Sequence, residues 1–354
     1  MTIQNRAGVP KVSTRRRQIA RWQQERQRKR VAIVVAAIVL LIIVSIPVVG
    51  YTITFVLPPR HVVSSVNGVE NTLGDMVEIV KANVAFQTQG GGQPRLSTLP
   101  FETLNNLIES ELIRQQAPTL GLFVSQKEID ARLRENFYPK IPAGQQPSPD
   151  QLEREFRESL NNYLVITQYT SDEYREIVRR SILREKAREL VADQVPEVEE
   201  HVFVEWIVLD VASQSIQSNA DTIRQRLADG TEFAVLAQQY SVDNKFADNS
   251  GTVGWLPRQA FPELEEDIFS LEQNTLSAPL LSSAGYYLVR VKEGPETRTV
   301  NDKMKEAIKT SVFNQFLLDL RRSNDVEVDF GSDHYSWLVR KVTESLPPQP
   351  QGQQ

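Results

Sequence analysis

The 354-residue chain has no cysteine. That absence removes disulfides, thiol nucleophiles, thiolate metal ligands and any lipid carried on a cysteine. Histidine is nearly as scarce. Only His61, His201 and His334 occur, and no two stand at the short spacing expected of metal ligands. The sequence therefore predicts neither zinc chemistry nor any other cofactor. Net charge is also small: 40 basic residues face 45 acidic ones, leaving −5. Long-range attraction thus gives no reason to expect nucleic acid as a partner. Within these exclusions the composition is ordinary, 40% hydrophobic and 24% charged, and can supply real cores. The length suits two or three domains.

Charge is unevenly spread. From Arg15 to Arg30 the chain reads RRRQIARWQQERQRKR, with Glu25 its single acid. Val31 to Leu57 then runs almost unbroken through valine, isoleucine, alanine and leucine without a charge. An apolar run of about 20 residues or more can cross a hydrocarbon core of about 30 Å as a helix. Cations crowd the N-terminal side and only Arg60 follows closely on the other. The positive-inside rule then places residues 1–30 in the cytoplasm and everything beyond the span outside. A signal peptide would have a shorter apolar region and a small-residue cleavage site, so an uncleaved transmembrane anchor over 31–57 is expected, with the lipid bilayer as its partner. The basic segment adds contact with anionic lipid.

After Pro58-Pro59, VVSSVNGV (62–69) reads as a strand ending in an Asn-Gly turn. Thr72 with Asp75, Ser125 with Glu128, and Ser148-Pro149 with Gln151 mark helix starts. A further helix over 101–116 carries Leu104, Ile108 and Leu112 on one stripe. Another begins at Ser171, its core stripe being Tyr174, Ile177, Val178, Leu183, Ala187 and Leu190. Residues 61–196 thus predict an α-helical domain with little strand. The pattern changes at Pro196. VFVEWIVL (202–209) reads as a buried strand, helices follow over 216–227 and from a Thr231 cap, and a short helix spans 262–269. Strands at 278–282 and 286–292 complete a β-α-α-β-α-β-β unit within 200–295, which makes the chain α+β. A C-terminal helix over 300–322 bears Met304, Ile308, Phe313 and Leu317 and is expected to pack back onto the helical domain. Beyond Gly331 only His334 to Val339 reads as ordered, and residues 340–354, ending LPPQPQGQQ, read as a disordered tail.

Three runs in the second unit form a pattern: ADGTEFAVLAQQYSVD, NSGTVGWLPRQAFPELEEDIFSL and LSAPLLSSAGYYLVRVKEG. In this order they resemble the parvulin (PpiC, rotamase) domain of peptidyl-prolyl isomerases over nearly its full length. Upstream, SSVNGVENTLGDMVEIV and LIESELIRQQAPTLGLFVSQKEI resemble the N-terminal chaperone region of secreted foldases similar to SurA and PrsA. The resemblance implies peptidyl-prolyl isomerase activity on unfolded or proline-containing exported polypeptides, with no cofactor. It places the proline pocket on Val253, Phe261 and Leu264, and Asp243 beside the rotating carbonyl. Parvulins usually carry a histidine in the first strand and another in the last. Here those positions read Trp206 and Tyr287. A hydroxyl near the closing turn is kept as Ser282, while the next matching position is Ala284. By residue type alone, Val253 and Leu264 are also plain core positions, and Asp243 in SVDN is also a loop cap. His201, ahead of the strand, reads as a surface residue. Three functions stay open: an isomerase that assists folding, a holdase chaperone with a degenerate parvulin domain, and a tethered interaction module.

Overall fold

The computed structural model describes residues 56–141, 147–193, 195–210, 215–243, 245–282 and 284–345, with scattered positions from 33 to 52. The basic segment 1–30, much of the 31–57 run and the final residues 346–354 lie outside the described residues. Described positions between 33 and 47 are helical. Among the described residues no helix is long and apolar enough to cross a membrane.

A 3-10 turn, Pro58–Arg60, leads into β1 (Val62–Val66). Asn67 and Gly68 both take positive φ, 50° and 82°, as a tight hairpin turn requires, and return the chain along β2 (Val69–Thr72). Thr72 then caps α1 (Leu73–Gln89). Its hydroxyl accepts the Asp75 N–H, and the Asp75 carboxylate accepts the Thr72 N–H. α2 (Leu99–Gln116) follows, and the same reciprocal cap, from Ser125 and Glu128, opens α3 (Gln126–Phe137). Ser148 with Pro149 opens α4 (Pro149–Thr167), and Thr170 with Glu173 opens α5 (Ser171–Ala192). The second unit runs β3 (Val198–Leu209), α6 (Ile216–Ala228), α7 (Phe233–Tyr240), β4 (Thr252–Pro257), α8 (Glu265–Ser270), β5 (Leu280–Ser282) and β6 (Gly285–Thr299). The described chain closes with α9 (Asp302–Ser323), β7 (Val326–Val328) and α10 (Ser332–Ser345).

Two antiparallel sheets result, ordered β2-β1-β7 and β4-β3-β6-β5. Successive strand residues face opposite ways, and β3 shows what that does. Val202, Val204, Trp206 and Val208 pack on one side with Leu264, Ile268, Tyr287 and Val289. Ile207 and Leu209 pack on the other against α6 and α7, through Ala220, Ile223, Phe233 and Leu236. The first side is closed by α9, whose Met304, Ala307 and Ile308 join that core.

The structure corrects the sequence reading at several points. β7 comes from the far end of the chain, so the helical region carries a three-stranded sheet, and Leu338 and Val342 of α10 join its core with Val63, Leu73 and Ile108. Helix α10 reaches Ser345, beyond the expected start of the tail at 340. α9 does pack on the helical region, through Phe313 and Leu317 against Leu183 and Ala187, but its first half belongs to the second unit. On α5, Ile177 and Leu190 are each 38% exposed, and Ile182 and Val191 are buried instead, because the helix contacts neighbours on more than one side. Thr231 does not cap α7; Glu232 holds that position without a side-chain bond. Finally β3 starts earlier than expected, at Val198, which makes His201 an interior strand residue, 1% exposed rather than surface.

Candidate active site

The face of β3 and β6 beneath α9 carries the residues that the resemblance singled out. Trp206 points into this face from β3 and is fully buried, at 0% exposure. A buried indole N–H needs an acceptor, and Nε1 donates to Asp243 Oδ2 at 2.7 Å. The Asp243 carboxylate also accepts the N–H groups of Lys245 (2.8 Å), Phe246 (3.1 Å) and Ala247 (3.0 Å). Asp243 is therefore both a loop cap and the partner of Trp206. Burial pushes its carboxyl up. The hydrogen bonds from Lys245, Ala247, Trp206 and Phe246 outweigh that and hold it below its ordinary value. Where the loop rejoins β4, Gly251 has φ +78°, and a Cβ there would lie 2.7 Å from Ala237 and 2.8 Å from the Trp206 carbonyl. Only glycine fits.

Around the indole stands an aromatic box. Phe261 and Tyr287 meet Trp206 edge-on, at ring-centroid distances of 5.2 and 5.1 Å, and Phe246 meets Phe261 at 4.8 Å. Such edge-to-face contacts are the favoured geometry of aromatic pairs. Phe246, Phe261 and Tyr287 line a cavity of about 730 Å³ whose far wall is α9, with Lys303, Ala307, Thr310, Asn314 and Leu318. Ser282 and Ala284 border it, and the Ser282 hydroxyl donates to Glu263 at 2.6 Å. Two cations flank the Phe246 ring, Lys245 at 4.9 Å and Lys303 at 5.7 Å. Burial, with the nearby charges of Asp243 and Glu263, pushes the Tyr287 phenol up to about 12. It stays neutral at physiological pH, and among the described residues no hydrogen bond occupies its hydroxyl.

The fold therefore brings Trp206, Asp243, Phe261, Tyr287 and Ser282 together. Leu264, at 1% exposure, is core below the cavity rather than its wall, and Val253 packs partly buried against the same core. The sequence reading missed Phe246, the one aromatic residue in a polar loop, and the wall supplied by α9. It also judged the histidines by spacing alone. His61 and His334 are far apart in sequence, yet their rings stack at 4.0 Å beside Asp329.

Residues 201–293 match the family model described as the PPIC-type PPIASE domain, and residues 24–158 match that of the SurA-like N-terminal domain. The chain is 32% identical to chaperone SurA of Chromohalobacter salexigens over 120 residues, 34% of this chain and 28% of that one. It is 25% identical to foldase protein PrsA of Caldanaerobacter subterraneus over 232 residues, 62% of this chain and 68% of that one. The parvulin-like PPIase of Rickettsia prowazekii is 27% identical over 121 residues, 32% of this chain and 43% of that one. The chain thus spans 28% and 43% of the length of two of these three relatives. A crystal structure of PrsA from Bacillus anthracis aligns with 68% of this chain and 96% of that one, at 15% identity and a TM-score of 0.37. The chain carries a parvulin-type PPIC domain over residues 201–293 behind a SurA-like N-terminal domain.

Proposed function

We propose that this chain is a membrane-anchored foldase working outside the cytoplasm, a peptidyl-prolyl cis-trans isomerase that assists the folding of exported proteins. The cavity over Phe246, Phe261 and Tyr287, set in the PPIC-type domain, carries this reading. Rotation about an amide bond is opposed by a barrier of about 18–20 kcal/mol that arises from resonance. A catalyst needs no nucleophile or metal to lower it. It must seat the proline ring, desolvate the amide and favour the twisted state over the planar one. The aromatic walls serve the first two ends. The neutral Tyr287 hydroxyl serves the third by donating a hydrogen bond to the amide as it twists. Asp243 and Trp206 are positioning residues here: they hold the loop that presents Phe246 and back the box from behind. Leu264 and Val253 support the pocket floor, and Ser282 with Glu263 forms its rim. The uncharged run Val31–Leu57, with cations on its N-terminal side only, supports the anchor and its orientation.

One observation favours a second reading, a holdase that binds unfolded chains without accelerating isomerisation. Every hydrogen bond of the Trp206–Asp243 pair is already made inside the protein. Binding without preference for the transition state gives no rate. A proline-peptide isomerisation assay on the full-length chain decides between the two. The isomerase reading expects turnover above background that falls in Tyr287→Phe. Background rates for wild type, with client aggregation still suppressed, leave the holdase.

A further inference from the structure

Two of the chain's three histidines meet at a place remote from the isomerase cavity. His61 follows the 3-10 turn Pro58–Arg60, and His334 sits in the first turn of α10. Their rings stack at 4.0 Å with an interplanar angle of 22°. Asp329 joins them, its carboxylate 3.1 Å from His61 Nε2. One ligand atom from each of the three residues lies within 4.8 Å of the others.

We propose that His61, Asp329 and His334 form a binding site for a divalent transition metal of the zinc class. Backbone structure fixes all three residues. His61 N–H donates to Pro58 O, and its carbonyl accepts Leu73 N–H. Asp329 N–H donates to Val63 O, continuing the pairing of β7 with β1. His334 is braced by Phe330, stacked at 6.4 Å; its Nδ1 accepts the Gly331 N–H, and the metal takes that lone pair as the ring turns, leaving the exposed Gly331 N–H to water. Two imidazoles and one carboxylate suit zinc, nickel or copper, and they do not suit calcium or magnesium, which take oxygen donors. Three protein ligands leave a fourth position for water.

Zn–N and Zn–O distances of about 2.0–2.2 Å place tetrahedral ligand atoms about 3.4 Å apart. The trio must therefore close by roughly an ångström. Because the rings lie nearly parallel, one of them must also turn about its Cβ–Cγ bond. Both rings are only partly buried and Asp329 is exposed, so the surface leaves room for that rotation. The metal takes the place of the hydrogen between His61 Nε2 and Asp329. Its effect is a clasp, tying the start of β1 to the β7–α10 segment that completes the three-stranded sheet. This proposal does not depend on the isomerase reading.

The test is zinc chloride titrated by calorimetry into chelator-treated full-length protein, with melting followed in parallel. The expected result is one zinc per chain and a melting temperature raised by zinc. Affinity should fall at least ten-fold in His61→Gln and in His334→Gln, and be kept in His201→Gln. Asp329→Asn, a change at an exposed side chain, gives the same readout should a histidine variant fold poorly. Absence of saturable zinc binding overturns the site. So does binding that survives in the His61→Gln/His334→Gln double variant with its circular dichroism unchanged.

Discussion

Replacing Asp243 with alanine removes four acceptor contacts at once, and the structure says which of them matter. The Lys245 N–H belongs to an exposed residue and can turn to water. The Trp206 N–H cannot, since the residue is fully buried. Stranding a buried donor costs about 1–3 kcal/mol, and a hydrogen bond to a charged group contributes about 1.5–3 kcal/mol. Allowing for the partly buried Phe246 and Ala247 N–H groups, we expect Asp243→Ala to lose about 3 kcal/mol of stability. Urea unfolding at neutral pH measures it, within a double-mutant cycle on Trp206→Phe, which lacks the N–H. In that background the cost of Asp243→Ala should shrink by about 1–2 kcal/mol, the coupling expected of contacting residues. The sign with pH follows from the lowered carboxyl. Its contribution is present above the ordinary aspartate value of about 3.9 and is lost as pH falls through the lower folded value. The gap between wild type and Asp243→Ala should therefore persist down to about pH 4 and narrow only below it. A cost under about 0.5 kcal/mol, or one identical in both backgrounds, would refute the claim that this carboxylate holds the indole.

Tyr287→Phe keeps the ring and deletes only the hydroxyl. Loss of one hydrogen bond worth about 0.5–1.5 kcal/mol should slow isomerisation by about 2- to 12-fold with little change in KM; an unchanged kcat removes Tyr287 from the reaction. Phe261→Ala opens one wall of the box and should weaken client binding by about 1–3 kcal/mol, measured by fluorescence titration with a proline-containing peptide. Unaltered affinity would mean that clients bind elsewhere. Asp243 titrates below its ordinary range and Tyr287 at about 12, so isomerisation should be flat from about pH 6 to about pH 9. A titration inside that window would point to a group outside the cavity.

Local signals in the sequence were faithful wherever local physics decides. The caps at Thr72, Ser125 and Ser148 stand where their hydroxyls and following residues predict, because each is satisfied within four residues. The β-α-α-β-α-β-β order was readable for the same reason, each element carrying its own periodicity. What failed was non-local. A three-residue strand such as β7 has no periodicity to detect and exists only because β1 offers an unpaired edge. The burial of His201 depends on how far β3 and β6 pair, through Val198 and Thr299. Of the site, the resemblance named Asp243, Phe261 and Tyr287, and the structure brings these three side chains around Trp206. The saturation of Asp243 was not, since three of its four donors are backbone groups whose direction is fixed only when the loop folds.

Helix α9 shows why the limits of a motif and the limits of a core need not agree. The PPIC-type domain ends at 293, yet the face that bears Trp206 and Tyr287 is buried only with Val300, Met304, Ala307 and Ile308 laid over it. One helix of 22 residues presents Met304, Ala307 and Ile308 in its first half and Phe313 and Leu317, buried in the helical region, in its second. Between them Thr310, Ser311 and Asn314 face the cavity. A shift of α9 along its axis would disturb both cores together, because close-packed interiors resist displacement. The cavity is thus walled on one side by aromatic side chains of the isomerase-type domain and on the other by a helix anchored in the chaperone-like part. On the proposed function, a proline-containing segment in this cavity would touch both walls, so substitutions on α9 at Thr310 or Asn314 should weaken peptide binding as Phe261→Ala does.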